Sequence, residues 1–216
     1  MDLEQFWKLI EQARGRATDS EGVADQATAL LAAHEPQQII DAQQILWDLM
    51  AASYQAPLWA AAYLINDGCS DDGFDYFRGW LIAQGRTVFD QVVADADQLA
   101  DLPAVRAAAA EGIDLENEQT LSIAWDAYEA ATGGELPGDA FTINYPALDP
   151  AWNFDFEDHG KIAARLPRVA VLYLNRTAPP TRFATLGDVA HRGGTTRNPP
   201  AVASLSSRLS ETISSC

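Results

Sequence analysis

Apolar residues in this chain recur with the spacing of helices. Phe6, Leu9, Ile10 and Ala13 fall at i, i+3, i+4 and i+7, which predicts an amphipathic helix over 2–16. Ala24, Ala27, Leu30 and Leu31 predict a second over about 20–34, with Ser20 as its N-cap. Pro36 suits the first turn of a third, running to about Tyr54, because its fixed φ costs nothing there. Ile39, Ile40, Ile45, Leu46, Leu49 and Met50 give that helix its apolar side. The segment "PLWAAAYLIN", 57–66, is apolar almost all round, as a helix at the centre of a core must be. Asn66-Asp67-Gly68 then reads as a stop and turn.

The next helix starts at Ser70 and ends near Gly85. Shorter ones follow over 86–94 and 103–111, and a longer one over 116–137 is closed by Gly133-Gly134. Between 135 and 154, Pro137, Pro146 and Pro150 alternate with Phe141, Tyr145, Trp152 and Phe154, which predicts an ordered loop pinned by aromatics. Asp155 is a candidate cap for a last helix through about Arg165, with Asp158 at its third position. "RVAVLYL", 168–174, is the best strand-like run, and it can equally finish the helical core. The expected architecture is all-α: a compact multi-helix orthogonal bundle over 1–174 with an aromatic, Pro-rich loop. An irregular tail, 175–216, is basic and rich in Pro, Gly, Ser and Thr, a composition that predicts disorder.

Charge sharpens that division. The net charge is −17, but residues 1–160 carry 6 basic and 29 acidic side chains, a balance of −23, whereas 161–216 carry 8 and 2, a balance of +6. An acidic globule repels phosphate backbones, so no nucleic-acid partner is expected for it. No run approaches the roughly 18–20 apolar residues of a spanning helix, and the acidic N-terminus lacks the basic start of a secretory signal. No membrane partner and a cytoplasmic location are therefore expected. Cys69 and Cys216 are too few for a disulfide framework, and His34, His159 and His191 are scattered. No cofactor and no metal are expected either, since CxxC, HExxH, GxGxxG and GxxxxGK[ST] are all missing.

The densest stretch is "NDGCSDDGFDYFRGWLIAQG", 66–85. With Ser70 as N-cap, Asp71 and Asp72 occupy the first turn, where the helix dipole favours negative charge. Phe74, Phe77 and Leu81 then face the core, and Asp75 can pair with Arg78. If that face is exposed, the pair contributes roughly 0–1 kcal/mol. The competing reading takes Asp71, Asp72 and Asp75 as oxygen ligands for a hard cation or as an acid–base pair, with His159 brought near in space. Arg78 in the stripe opposes a metal. Cys69 precedes a helix start, which lowers a thiol pKa, but the adjacent acids act the other way, so a small buried residue is expected. Most tryptophans and tyrosines fall at core spacing, and a few, among them Trp59 and Tyr63, are candidates to line a groove.

Over 57–86, "LWAAAYLI", "GCSDDGF" and "FRGWLIAQGR" together resemble the bacterial domain of unknown function 4240. "FWKLIEQAR" at 6–14, "AYEAATGGELP" at 127–137, "WNFDFED" at 152–158 and "RLPRVAVLY" at 165–173 extend the resemblance over 1–174. It brings no activity and no catalytic residue. Where the family tends to carry an acidic "WDFDD", this chain has Trp152-Asn153-Phe154-Asp155-Phe156, which weakens any role that depends on those acids. The functional expectation is a cytoplasmic interaction module, regulatory or toxin-antagonist-like, whose acidic surface takes a basic protein. A metal-assisted hydrolase built on Asp71, Asp72 and Asp75 is the alternative, and an acidic mimic of nucleic acid is a weaker one. The residues set apart for either role are Asp71, Asp72, Asp75, Arg78, Trp59, Tyr63 and His159.

Overall fold

In the computed structural model, which describes residues 1–174, α1 (Leu3–Arg14), α2 (Ser20–Leu31), α3 (Pro36–Ala52) and α4 (Ala56–Ile65) lead into α5 (Asp71–Ala83). Then come α6 (Arg86–Ala94), a 3-10 segment (Ala96–Asp101), α7 (Pro103–Glu111) and α8 (Gln119–Thr132). A long loop with a second 3-10 turn (Pro150–Trp152) precedes α9 (His159–Arg165) and α10 (Pro167–Leu174). Among the described residues there is no strand, so the all-α expectation holds. These residues fall in one packing unit, Met1–Asn175. The expected disordered tail, 175–216, lies outside the described residues.

Helix α8 packs against α2, α3 and α5, which makes α5 and α8 the inner pair. Leu58, Ala60, Ala61 and Ala62 of α4 are fully buried, as its all-round apolar sequence requires. Phe74, Phe77 and Leu81 of α5 are buried as expected, with Trp80 beside them. The buried Gln43 amide is satisfied by two indoles: its carbonyl accepts from Trp47 (2.9 Å) and Trp125 (3.1 Å).

Several helix starts fall elsewhere than expected, each because a particular side chain reaches the first-turn N–H groups. Asp19, not Ser20, caps α2, accepting from Gly22 N at 2.8 Å. Helix α8 begins three residues later than expected, because Asn117 is drawn out of it. The Asn117 amide donates to Ser20 O (2.6 Å) and its carbonyl accepts from Thr120 N (3.1 Å). Asp158, not Asp155, caps α9, accepting from Lys161 N at 3.1 Å. Asp155 instead closes a turn by accepting from Glu157 N. The strand-like run 168–174 is helix α10, and the reason lies far away in sequence. The Asp97 carboxylate accepts from Arg168 N and Val169 N at 3.0 Å, satisfying donors that a helix start otherwise leaves open.

One close approach governs the inner pair. A Cβ on Gly79 of α5 would collide with the Asn117 carbonyl and stand 3.4 Å from the Thr120 Cβ. The backbone before α8 therefore rests directly on α5. Alanine at 79 gains about 1 kcal/mol of helix propensity, yet pushing α8 away costs about 1–3 kcal/mol in overpacking and loosens the Asn117 bonds as well. Gly79→Ala is expected to lower the urea midpoint, with an unchanged or higher midpoint excluding this contact.

Candidate functional site

Ser70 caps α5 as its sequence predicts, accepting from Gly73 N at 3.1 Å. Asp71 and Asp72 occupy the first turn and are exposed. Asp75, one turn on, is turned inward, its side chain only 18% exposed, and it pairs with Arg78. His159 is exposed at the start of α9 and forms no hydrogen bond or ion pair with these carboxylates. Among the described residues, no group of three or more His, Cys, Asp or Glu is placed to hold a metal ion.

Arg78 departs most from expectation. Its side chain is fully buried, not exposed. Nε donates to Phe74 O at 3.3 Å, Nη1 to Met50 O near the end of α3, and Nη2 to the Asp75 carboxylate. The guanidinium lies 4.6 Å from the Phe74 ring centroid, 5.1 Å from Tyr54 and 5.9 Å from Tyr145. Such faces attract a cation, more strongly where water is excluded. Tyr145 comes from the long loop. Its residue is 44% exposed, but its hydroxyl reaches inward and donates to Asp75 Oδ2 at 3.3 Å. Burial pushes the Asp75 carboxyl up, and the charge and hydrogen bond of Arg78 pull it back. Burial and the Asp75 charge push the Tyr145 phenol up to about 12, which keeps it a neutral donor.

The Phe74 ring connects this cluster to a groove. Trp59 of α4 stacks on it at 4.8 Å with an interplanar angle of 14°, and donates its indole N–H to Cys69 O at 3.3 Å. Trp59 and Tyr63, with Ala56 and Cys69, form one wall of a cavity of about 560 Å³. The other wall is the loop from Leu148 to Phe156, with Trp152, Phe154, Asp149 and Asp155. Tyr63 bridges the walls: its hydroxyl donates to the Glu157 carboxylate, which raises the phenol pKa, and its ring meets Phe156 edge-on at 5.9 Å. The loop is braced by α9. Arg165 lies 5.4 Å from the Trp152 ring and 4.7 Å from the Phe154 ring, and donates to Ala151 O at 3.3 Å. Lys161 stands 5.7 Å from Phe154.

Of the residues set apart by sequence, Trp59 and Tyr63 thus share a cavity, and Asp75 and Arg78 share the cluster behind it. Asp71, Asp72 and His159 line neither. Sequence reasoning missed Asp149, Phe156 and the Tyr145–Asp75 bond. The signal for them is the unusual density of aromatics in a Pro-rich loop, which needs something to pack on. Cys69 also borders the cavity and is half-buried. Burial, then the Glu116 charge, raise its thiol to about 12, so no thiolate forms at neutral pH.

The family comparison bears on half of this groove. The model of the family described as "Protein of unknown function (DUF4240)" matches residues 1–130, the span from α1 into α8. The chain belongs to that family. The DUF4240 match takes in Trp59, Tyr63, Cys69, Asp75 and Arg78, whereas the loop wall 148–156 lies beyond it, as do the resembling pieces at 152–158 and 165–173. No curated protein and no solved structure matches the chain. No described helix is long and apolar enough to cross a membrane.

Two measurements probe this geometry. Arg78→Ala strands a largely buried carboxylate and should cost about 3–5 kcal/mol in urea unfolding, part of it recovered by adding Asp75→Asn. A loss under about 1 kcal/mol would mean the pair behaves as an exposed one. In a Cys216→Ser background, iodoacetamide should alkylate Cys69 slowly in the native protein at pH 7.5 and rapidly in urea. Equal rates would show a thiol that burial does not protect.

Proposed function

We propose that this domain is a cytoplasmic protein-interaction module, of regulatory or toxin-antagonist type, whose acidic face takes a basic protein. The observation that carries this reading is the aromatic groove with carboxylates at its rim, set in a domain with a large excess of acid. Residues 1–174 hold 29 acidic and 9 basic side chains, a balance of −20. Such a surface attracts positive partners over roughly a Debye length and speeds their encounter. Charge alone gives little selectivity. Aromatic side chains in a concave site add it, since Trp and Tyr are the residues on which interface energy concentrates.

The reading favours binding over chemistry for a specific reason. The carboxylates with a plain structural role, Asp75 with Arg78 and Asp97 with α10, are engaged by their neighbours. Those at the groove, Asp149 and Asp155, hold backbone turns and remain solvent-exposed, a position suited to meeting a cation and not to moving a proton.

The test is capture on immobilised domain, first of poly-L-arginine and then of proteins from a native lysate. Retention should be strong at about 0.1 M salt and lost by about 1 M, as the Debye length falls from about 10 to about 3 Å. Absence of any basic binder at low salt would remove the reading.

A further inference from the structure

The groove between Trp59 and the 148–156 loop has a chemistry of its own, separable from the general acidity of the domain. Five of its lining side chains offer aromatic surface: Trp59, Tyr63, Trp152, Phe154 and Phe156. Two offer charge, Asp149 and Asp155, and among the described residues no Lys or Arg lines it. Its volume of about 560 Å³ lies within the range of about 300–1,000 Å³ usual for ligand sites.

We propose that this groove holds an arginine side chain of the basic partner, flanked by an apolar residue of the same segment. The proposal rests on the interaction-module reading and adds the residue that is recognised. Two observations and one property of the guanidinium group converge on it. Rings with acids at their edge form a site complementary to a cation, because the negative ring faces and the carboxylates act in the same sense. Next, the loop already accepts this group from its own chain: the Arg165 guanidinium sits 5.4 Å from Trp152 and 4.7 Å from Phe154, without lining the groove itself. Finally, a guanidinium is planar and weakly hydrated, so it stacks between rings and pairs with a carboxylate at once, which a compact ammonium does less well. The cavity exceeds what one such side chain fills, and its aromatic walls leave apolar surface for the neighbouring residue.

Asp149 and Asp155 each hold a turn, accepting from Ala151 N at 2.9 Å and from Glu157 N at 3.0 Å. Asparagine at either position keeps an acceptor for the turn and removes only the charge. That makes the variants clean tests of recognition.

The experiment uses the full chain, 15N-labelled at its indoles, with the Trp59 and Trp152 signals identified by Trp→Phe variants. It is titrated with acetyl-Gly-Leu-Arg-Leu-Gly-amide and with the same peptide carrying citrulline, which keeps the shape and loses the charge. The arginine peptide should shift the Trp59 and Trp152 indole signals. The citrulline peptide should bind about tenfold more weakly, and the Asp149→Asn/Asp155→Asn chain should lose a similar factor for arginine. Equal binding of the two peptides, or shifts that leave both indoles unmoved, would overturn the assignment. If the peptide fails while poly-L-arginine is still captured at low salt, the groove assignment falls and the module reading stands. If neither binds, both fall.

Discussion

Taking a guanidinium out of water costs several kcal/mol unless its charge and its donors find partners. Arg78 is wholly buried, and the way its demands are met shapes the rest of the molecule. One donor goes to the carbonyl of Met50 in the last turn of α3, where the helix dipole already favours a positive charge. Another goes to the carbonyl of Phe74 on its own helix, and a third to Asp75. Asp75 in turn holds Tyr145 from a loop seventy residues away. A single cation thereby ties the end of α3, the face of α5 and the long loop to one another. Phe74 receives the guanidinium on its ring and stacks with Trp59, so the position of Trp59 follows from the burial of Arg78.

The groove is assembled from two stretches with different constraints. Its α4 wall belongs to the most apolar helix of the core and cannot shift without disturbing Leu58 and the buried alanines beside it. Its loop wall has little buried surface of its own. It keeps its shape through Arg165, Lys161 and the Tyr63–Glu157 bond. A rigid wall inside the family-matched span faces one held by polar and cation–ring contacts beyond it. Substitutions in the second wall therefore reshape the groove without unsettling the core.

How much of this was legible beforehand depended on the reach of each interaction. Helices with a 3.6-residue apolar period and local caps were readable, because spacing and cap both lie within a few residues: Ser70 on α5 and Gly133 after α8 are examples. The misread points involve partners far away in sequence. The run that forms α10 is open between strand and helix by its sequence, because Val169, Val171 and Tyr173 favour a strand, and only Asp97 settles its start. The late start of α8 depends on Asn117 bonding Ser20, ninety-seven residues away. The Asp75–Arg78 pair was foreseen from i,i+3 spacing, but its burial was not, since nothing local says that Met50 and Tyr145 will close over it. The triad of acids had looked like one feature. The fold divides it, leaving Asp71 and Asp72 at a helix start and sending Asp75 inward.

Acidity and aromaticity then play separate parts. Solubility alone would be served by acids spread over the surface, and most of them are spread. It would not require two carboxylates beside a row of rings, nor a tryptophan kept at the rim of a groove when the same indole could be buried. Exposed aromatic surface carries a cost in water and a risk of aggregation. Here Trp59 and Trp152 remain partly exposed, whereas Trp47, beside Gln43, is buried with its indole N–H satisfied. The Phe74 stack fixes where Trp59 sits, but Trp152 owes its place to Arg165 and not to the core, so the ring and the exposed carboxylates of the loop wall are held together by surface contacts alone.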